Sequence, residues 1–144
     1  MSTEQRLKLY RKAMRHMDNA AKMLSEKGKE EDGLYQNIKC VRAACGIAYS
    51  GLLLATECYL EMKGQPLVRK KGRRLKITQY TENLAQADSK ALPYFNAAYH
   101  LLRLDGYYEG LNSVAALKAG FDSVMEIFKR IAPHGVSHSK ELNG

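Results

Sequence analysis

The chain has 144 residues, 45% hydrophobic and 26% charged, so it is long enough for one domain with a core and is not an intrinsically disordered chain. Its formal net charge is +8, and six of the positive charges fall between Pro66 and Ile77, where there is no acidic residue. The rest of the chain therefore carries only +2, which excludes a protein that is basic over its whole surface.

The cysteines and the apolar segments favour a reduced, cytoplasmic protein. The three cysteines cannot all pair within one chain, and they lie in apolar helical sequence. The charged sequence MSTEQRLKLYRKAMRH lacks the apolar segment of a secretory signal. The longest uncharged apolar run, Ala43 to Thr56, has 14 residues, whereas a membrane span needs about 20. We therefore expect a buried helix and no membrane contact.

The first predicted helix begins near Ser2 or Thr3, where Ser2 and Gln5 have the S-x-x-Q spacing of a capping box. Its apolar residues alternate steps of three and four and form one stripe: Leu7, Tyr10, Met14, Met17, Ala21 and Leu24. The charged segment EKGKEEDG then ends the helix, and we expect a solvated turn through Gly33.

The second predicted helix runs from about residue 34 to residue 63 and forms the centre of the fold. The same rhythm places its apolar residues on one stripe: Ile38, Val41, Cys45, Ala48, Leu52, Ala55, Tyr59 and Met62. Gly46 and Gly51 each cost a helix about 1 kcal/mol relative to alanine. We therefore expect something to approach the backbone closely there, either another helix or a second subunit.

The connection of residues 64–77 contains PLVRKKGRRLKI, which predicts an irregular loop or a small hairpin turning at Lys71-Gly72. A cap at Thr78 starts a third helix, and Pro93 predicts the first turn of a fourth, which LDGYYEG ends. A fifth helix carries another stripe: Val114, Leu117, Phe121, Val124, Phe128 and Ile131. Residues 133–144 are predicted to be a flexible tail.

These elements predict an all-α, single-domain bundle of about five helices with an antiparallel up-down core, formed by residues 1–132. The first, second and last helices are its long members.

No phosphate-loop, dinucleotide-binding, metalloprotease or nucleophile-elbow motif occurs in the sequence. Cys40 and Cys45 lie about 140° apart round a helix, and Cys58 is more than three turns further on, which predicts buried structural thiols and no metal site. His100 is expected in the core or an interface. We find no acid–base pair and expect no cofactor. Four tyrosines around the fourth helix suit core packing, a groove or an interface: Tyr94, Tyr99, Tyr107 and Tyr108.

The basic segment offers six candidate contact residues: Arg69, Lys70, Lys71, Arg73, Arg74 and Lys76. Nucleic-acid phosphates would release counterions on binding them. Contact with an acidic protein surface or a partner subunit fits the same composition, as does a solvated loop without a specific role. Aromatic residues that would stack on unpaired bases are absent between Leu67 and Ile77.

The segment AYSGLLLATECYLEMKG resembles the second long helix of HEPN-like helical bundles, whose A-x-E-x-x-L-x-x-x-G ending is here Ala55, Glu57, Leu60 and Gly64. The chain is also similar to small uncharacterised bacterial families close to that group. The resemblance implies an all-α fold and, as in many HEPN nucleases, metal-independent RNA cleavage by a histidine that follows an arginine after a short spacer. Arg11 and His16 have that spacing, although they lie in the first helix and the family's motif lies toward the C-terminal part of the bundle.

We therefore expect a cytoplasmic binding or interaction module without catalysis, homodimeric through the small-residue face of the second helix. The alternative is a HEPN-like protein of a toxin–antitoxin type system that cleaves RNA or binds nucleic acid. Arg11 and His16 are the catalytic candidates of that alternative.

Overall fold

The computed structural model describes residues 1–131, which fold into one all-α bundle, so the predicted fold class is confirmed. The α-helices are α1 Thr3–Lys27, α2 Ile38–Met62, α3 Ile77–Ala87, α4 Leu92–Ala98 and α5 Val114–Ile131. A π-helix, Tyr99–Tyr108, continues α4, and two short strands, β1 Glu30–Glu31 and β2 Leu34–Tyr35, lie between α1 and α2. The tail predicted for residues 133–144 lies outside the described residues.

The two longest helices, α1 and α2, pack antiparallel along their length. Near one end of the pair, the thiol of Cys58 lies 3.4 Å from the carbonyl oxygen of Arg6. Near the other end, the thiol of Cys40 lies 3.4 Å from the carbonyl oxygen of Met23. Because residue numbers rise along one helix as they fall along the other, the up-down arrangement predicted for this pair is present.

Aromatic pairs join the remaining helices to this core. Tyr10 of α1 meets Phe128 of α5 edge-on, with ring centroids 5.5 Å apart. Tyr80 of α3 stacks on Phe95 of α4 at 6.1 Å. Tyr10, Phe95 and Phe128 are at most 1% exposed, and burying a side chain of that size contributes about 1.5–3 kcal/mol.

The connection between α1 and α2 is a β-hairpin whose turn at Asp32 and Gly33 is exposed, as the predicted solvated turn requires, but α2 begins at Ile38 rather than near residue 34. Asp32 and Gly33 have φ angles of 52° and 80°, as the two central residues of a tight hairpin turn require. The Tyr35 N–H donates to the carbonyl oxygen of Asn112 at 2.9 Å, which ties the hairpin to the segment before α5.

The connection between α2 and α3, residues 63–76, is a loop, one of the two predicted alternatives. The Arg73 N–H donates to the carbonyl oxygen of Lys70 at 3.0 Å, and Gly72 between them has a φ of 75°. Among the described residues, no strand pairing extends from this turn. We call this segment the basic loop.

The prediction that LDGYYEG ends the fourth helix is wrong, because most of this segment belongs to the π-helix that continues α4. Hydrogen bonds to the fifth residue widen the turns of such a helix. Gly106 presses against α2: an added Cβ would lie inside contact distance of the Cys45 thiol and 3.0 Å from the carbonyl oxygen of Leu101. This close approach requires glycine. The chain leaves the π-helix at Gly110, whose φ is 71°.

By length and composition, α2 is the one helix among residues 1–131 that could cross a membrane. The central helix of a globular core passes the same test, and 44% of the most apolar part of α2 is buried in the bundle. Length and composition are therefore weak grounds for a membrane span here.

Candidate functional site

The basic loop is anchored at its ends and exposed between them. Leu67 is buried, and Leu75 and Ile77 pack half-buried against the core. Arg69 donates two hydrogen bonds of 2.9 Å to the carboxylate of Glu57 on α2, and this pairing raises the pKa of its guanidinium. The Glu57 side chain is only 12% exposed, so the ion pair holds the start of the loop against α2.

Five of the six predicted contact residues form no ion pair with any other residue in the described part of the chain: Lys70, Lys71, Arg73, Arg74 and Lys76. All five are exposed. Four of them, all except Lys71, line a cavity of about 200 Å³ together with Gln79. The Gln79 side chain links two parts of the loop that line this cavity. Its amide oxygen accepts from the Lys76 N–H at 2.8 Å, and its amide nitrogen donates to the Val68 carbonyl oxygen at 3.4 Å.

A second cavity, of about 340 Å³, lies beside the loop between α1 and α2, and we call it the His16 groove. Its polar lining comes from both helices, the loop and α3: Lys12, His16, Ser50, Glu57, Arg69 and Tyr80. The groove therefore brings His16 and Arg69 together from sequence positions 53 residues apart.

The His16 ring is oriented by its own helix. Its Nδ1 lies 2.9 Å from the carbonyl oxygen of Lys12, and because a carbonyl only accepts, the proton of the neutral ring sits on Nδ1. Nε2 then keeps its lone pair. Arg11 does not line the groove, so the two residues of the HEPN-like spacing do not converge there. In a regular helix their directions differ by about 140°.

A cluster of aromatic rings surrounds Arg103, a residue that the sequence analysis did not single out. Its guanidinium carbon lies 5.0 Å from the ring centroid of Tyr49, 4.9 Å from that of Tyr107 and 4.7 Å from that of Tyr108. We call these four residues the tyrosine cluster. Tyr107 and Tyr108 are 39% and 51% exposed, so their rings remain open to solvent.

The tyrosine cluster borders the His16 groove along one side of α2. Tyr49 directly precedes Ser50 of the groove, and the helical period places Gly46, Leu53 and Glu57 on the same side. Burial raises the pKa of Tyr49 to about 12, Arg103 acts against this rise, and the nearby phenols, including Tyr80 of the groove, add to it. The loop and the groove therefore share Arg69, and the tyrosine cluster lies on the same side of α2 as the groove.

The glycines of α2 are packed by the chain itself. An added Cβ at Gly51 would lie 2.7 Å from the sulfur of Met17 and 3.3 Å from the Cβ of His16, both on α1. At Gly46 it would lie 3.0 Å from the Tyr107 ring. The predicted close approach is thus present, and another helix makes it in each case, so these glycines do not require a second subunit.

The other candidates lie apart from this surface. The three cysteines are free and buried, as predicted for structural thiols. His100 is exposed, which rules out the core, one of its two expected positions, and leaves the interface as a prediction; its ring meets Tyr99 edge-on at 5.7 Å. Tyr94 packs against Arg130 instead, 5.2 Å from ring centroid to guanidinium carbon. Within residues 1–131, no group of three His, Cys, Asp or Glu side chains is placed to hold a metal ion.

Comparison with known proteins places the chain in a family without assigning a function. A solved structure, a protein of unknown function from Dyadobacter fermentans, is 33% identical and has a TM-score of 0.77, over 91% of this chain and 97% of that chain. No curated protein matches. A family model described as "Domain of unknown function (DUF5618)" matches residues 8–133. The chain therefore belongs to the DUF5618 family.

Proposed function

We propose that this protein is a non-enzymatic binding module that holds nucleic acid through the phosphate groups. The observation that carries the proposal is the basic loop: five exposed cations, unpaired within residues 1–131, on a bundle whose remaining residues sum to nearly neutral. Cations that pair with carboxylates of their own chain have little to gain from a phosphate. These five have no such competitor, and each phosphate they bind releases a condensed counterion.

Two features favour a polymer over a single anion. The cations are distributed over the loop from Lys70 to Lys76, and only four of them share a cavity. The His16 groove continues the surface with one further cation, Lys12, whereas Arg69 in the same groove is paired with Glu57. A chain of phosphates can occupy loop and groove together.

The test compares two variants with the same net charge. The loop variant changes four cations of the loop to glutamine: Lys70, Lys71, Arg73 and Arg74. The distal variant does the same for four lysines that line neither the loop cavity nor the His16 groove: Lys22, Lys27, Lys29 and Lys118. Each has a formal net charge of +4 in place of +8, so a difference between them reports on the site.

We expect the loop variant to bind a labelled oligonucleotide about tenfold or more weakly than the unchanged protein, and the distal variant to retain its affinity. Equal affinities for the two variants would contradict the proposal. Poly-glutamate serves as competitor: if it displaces the oligonucleotide at equal charge concentration, the loop recognises acidic chains in general and the nucleic-acid assignment fails.

HEPN-like RNA cleavage is the second candidate, and the orientation of His16 favours it. Nε2 can accept a proton in a groove that also holds two cations, whereas Arg11 lies elsewhere. Incubation of the protein with RNA tests this candidate. His16→Ala should abolish cleavage, while His100→Ala, which changes an exposed histidine outside the groove, should not. Absence of cleavage, or cleavage that survives His16→Ala, removes it.

We also propose that the protein forms a homodimer and is located in the cytoplasm. Since Gly46 and Gly51 are filled from within the chain, support for the dimer comes from the half-buried apolar side chains of α2, such as Ile47, Leu53 and Leu54. The unpaired thiols support a reducing compartment. Sedimentation at micromolar concentrations should show a dimer, and a purely monomeric protein would contradict this part.

A further inference from the structure

We propose that the nucleic acid bound by this surface is single-stranded, and that its unpaired bases stack on Tyr107 and Tyr108 of the π-helix. This inference rests on the proposed function of the basic loop. It adds the class of ligand, which the loop alone cannot define because it contains no aromatic residue between Leu67 and Ile77.

The two rings have the exposure and the setting of a stacking platform. Tyr107 and Tyr108 are 39% and 51% exposed and meet each other edge-on at 5.1 Å. Arg103 packs within 5 Å of both ring centroids and places a positive charge directly behind them. Base stacking on such rings accepts any base, because every base has a π-face, and an adjacent arginine adds a cation–π contribution.

The backbone holds the rings in place. Gly46 of α2 leaves the space that the Tyr107 ring occupies, and Gly106 lets the π-helix lie directly on α2. Tyr49 stands on the other side of Arg103, its ring centroid 5.0 Å from the guanidinium carbon. The guanidinium is thus held by three rings, so the platform is ordered before any ligand arrives.

A strand can reach the platform from the loop. Along α2, Glu57 holds Arg69 of the loop and Gly46 underlies Tyr107, which is eleven residues or about 16 Å of helix. At about 3.4 Å per nucleotide, this distance corresponds to about five nucleotides of a stacked strand. The phosphates would contact the loop and Lys12 of the His16 groove, and the bases at the other end would reach Tyr107 and Tyr108.

A duplex does not satisfy this arrangement. Its base faces are stacked inside the helix, and only phosphates, sugars and base edges are open to a protein. The loop could hold such a duplex by its phosphates, but the rings would find no base face. The preference for unpaired bases therefore separates the stacking inference from simple phosphate binding.

The experiment measures fluorescence anisotropy of a labelled oligonucleotide of about twelve nucleotides, within the range of single-stranded site sizes, alone and annealed to its complement. RNA and DNA versions of both forms distinguish recognition of the 2′-hydroxyl from recognition of unpaired bases alone. The protein variant is Tyr107→Leu with Tyr108→Leu. The control is Tyr94→Leu. Tyr94 is similarly exposed, at 38%, but it packs on Arg130 and belongs neither to the loop, nor to the groove, nor to the tyrosine cluster.

We expect the single strand to bind at least about tenfold more tightly than the duplex, and the double variant to lose on the order of 30-fold of that affinity. The salt dependence should stay unchanged in the double variant, because no phosphate contact is removed. Its urea midpoint confirms that it is folded. Tyr94→Leu should bind as the unchanged protein does.

Equal binding of strand and duplex, or an unaltered affinity of the folded double variant, would overturn the inference. If the loop variant has meanwhile lost binding, the proposed function stands without the stacking. If the loop variant also binds normally, both are wrong.

Discussion

The contact between the π-helix and α2 leads to a sharp prediction for Gly106→Ala. The added methyl group would collide with the buried Cys45 thiol and lie 3.0 Å from the Leu101 carbonyl oxygen, which the backbone cannot move away. Overpacking costs about 1–3 kcal/mol, and a methyl group that meets both a buried side chain and the backbone falls in the upper part of this range, at about 2–3 kcal/mol. Alanine returns about 1 kcal/mol through its better helix propensity. We therefore expect the free energy of unfolding to fall by about 1–2 kcal/mol.

Gly46→Ala is the matched control, on the opposite side of the same interface. Its methyl group would lie 3.0 Å from the Tyr107 ring, which is 39% exposed and can move outward. The propensity gain then offsets the contact, and stability should stay within about 1 kcal/mol of the unchanged protein.

Urea unfolding followed by circular dichroism measures both variants. With a slope of about 2 kcal/mol per molar urea, the midpoint of Gly106→Ala should fall by about 0.5–1 M and that of Gly46→Ala should barely move. Equal midpoints for the two variants would show that the π-helix does not lie against α2 as described.

Three further results should follow from half-buried Asp88 and from two buried cysteines. Asp88→Ala removes the acceptor of the Tyr59 hydroxyl at 2.7 Å and of Arg130 Nε at 3.2 Å, so urea unfolding should show a loss of about 2 kcal/mol. Burial opposes ionisation of Asp88, but hydrogen bonds from Tyr59, the Lys90 N–H and Arg130 outweigh burial and lower the pKa of its carboxyl group. The stabilisation by Asp88 is therefore complete above about pH 4 and is lost as the pH falls below that. A stability difference between Asp88→Ala and the unchanged protein that persists undiminished in strong acid would contradict this. Burial raises the pKa of the Cys45 thiol to about 12 and that of the Cys58 thiol to about 11. Alkylation of these thiols at pH 8 should therefore be far slower in the native protein than in urea, and comparable rates would refute their burial.

Much of the fold follows from the spacing of apolar residues. The three-four steps identified α1, α2 and α5, and Pro93 lies in the first turn of α4 as predicted, whereas α3 begins at Ile77 and not after a cap at Thr78. The Ser2–Gln5 capping box is present, with the Gln5 N–H donating to Ser2 Oγ at 3.1 Å. The antiparallel hairpin before α2 escaped prediction although Asp32-Gly33 is a strong turn signal, because its strands are two residues each and do not alternate. The π-helix escaped because a pattern matched to 3.6 residues per turn does not describe its wider turns.

The candidate site was only partly predictable. A local run of basic residues is visible in the sequence, and the basic loop could be predicted from it. The surface that adjoins it is assembled from residues far apart in the chain, such as His16 with Arg69 and Tyr49 with Arg103. No local pattern marks such pairs. The concentration of four tyrosines around the fourth helix is visible in the sequence. However, Tyr94 contacts Arg130 and Tyr99 contacts Tyr49, so only two of the four lie against Arg103.

The salt dependence of oligonucleotide binding tests the central claim most directly. For single-stranded binding, each phosphate contact contributes about −0.7 to the slope of log K against log salt, so five contacts in the basic loop and one at Lys12 predict a slope of about −4.2. The loop variant keeps Lys76 and Lys12 and should have a slope of about −1.4, and the distal variant should match the unchanged protein. Slopes that are the same for loop and distal variants would contradict the account, because binding would then depend on net charge and not on the basic loop.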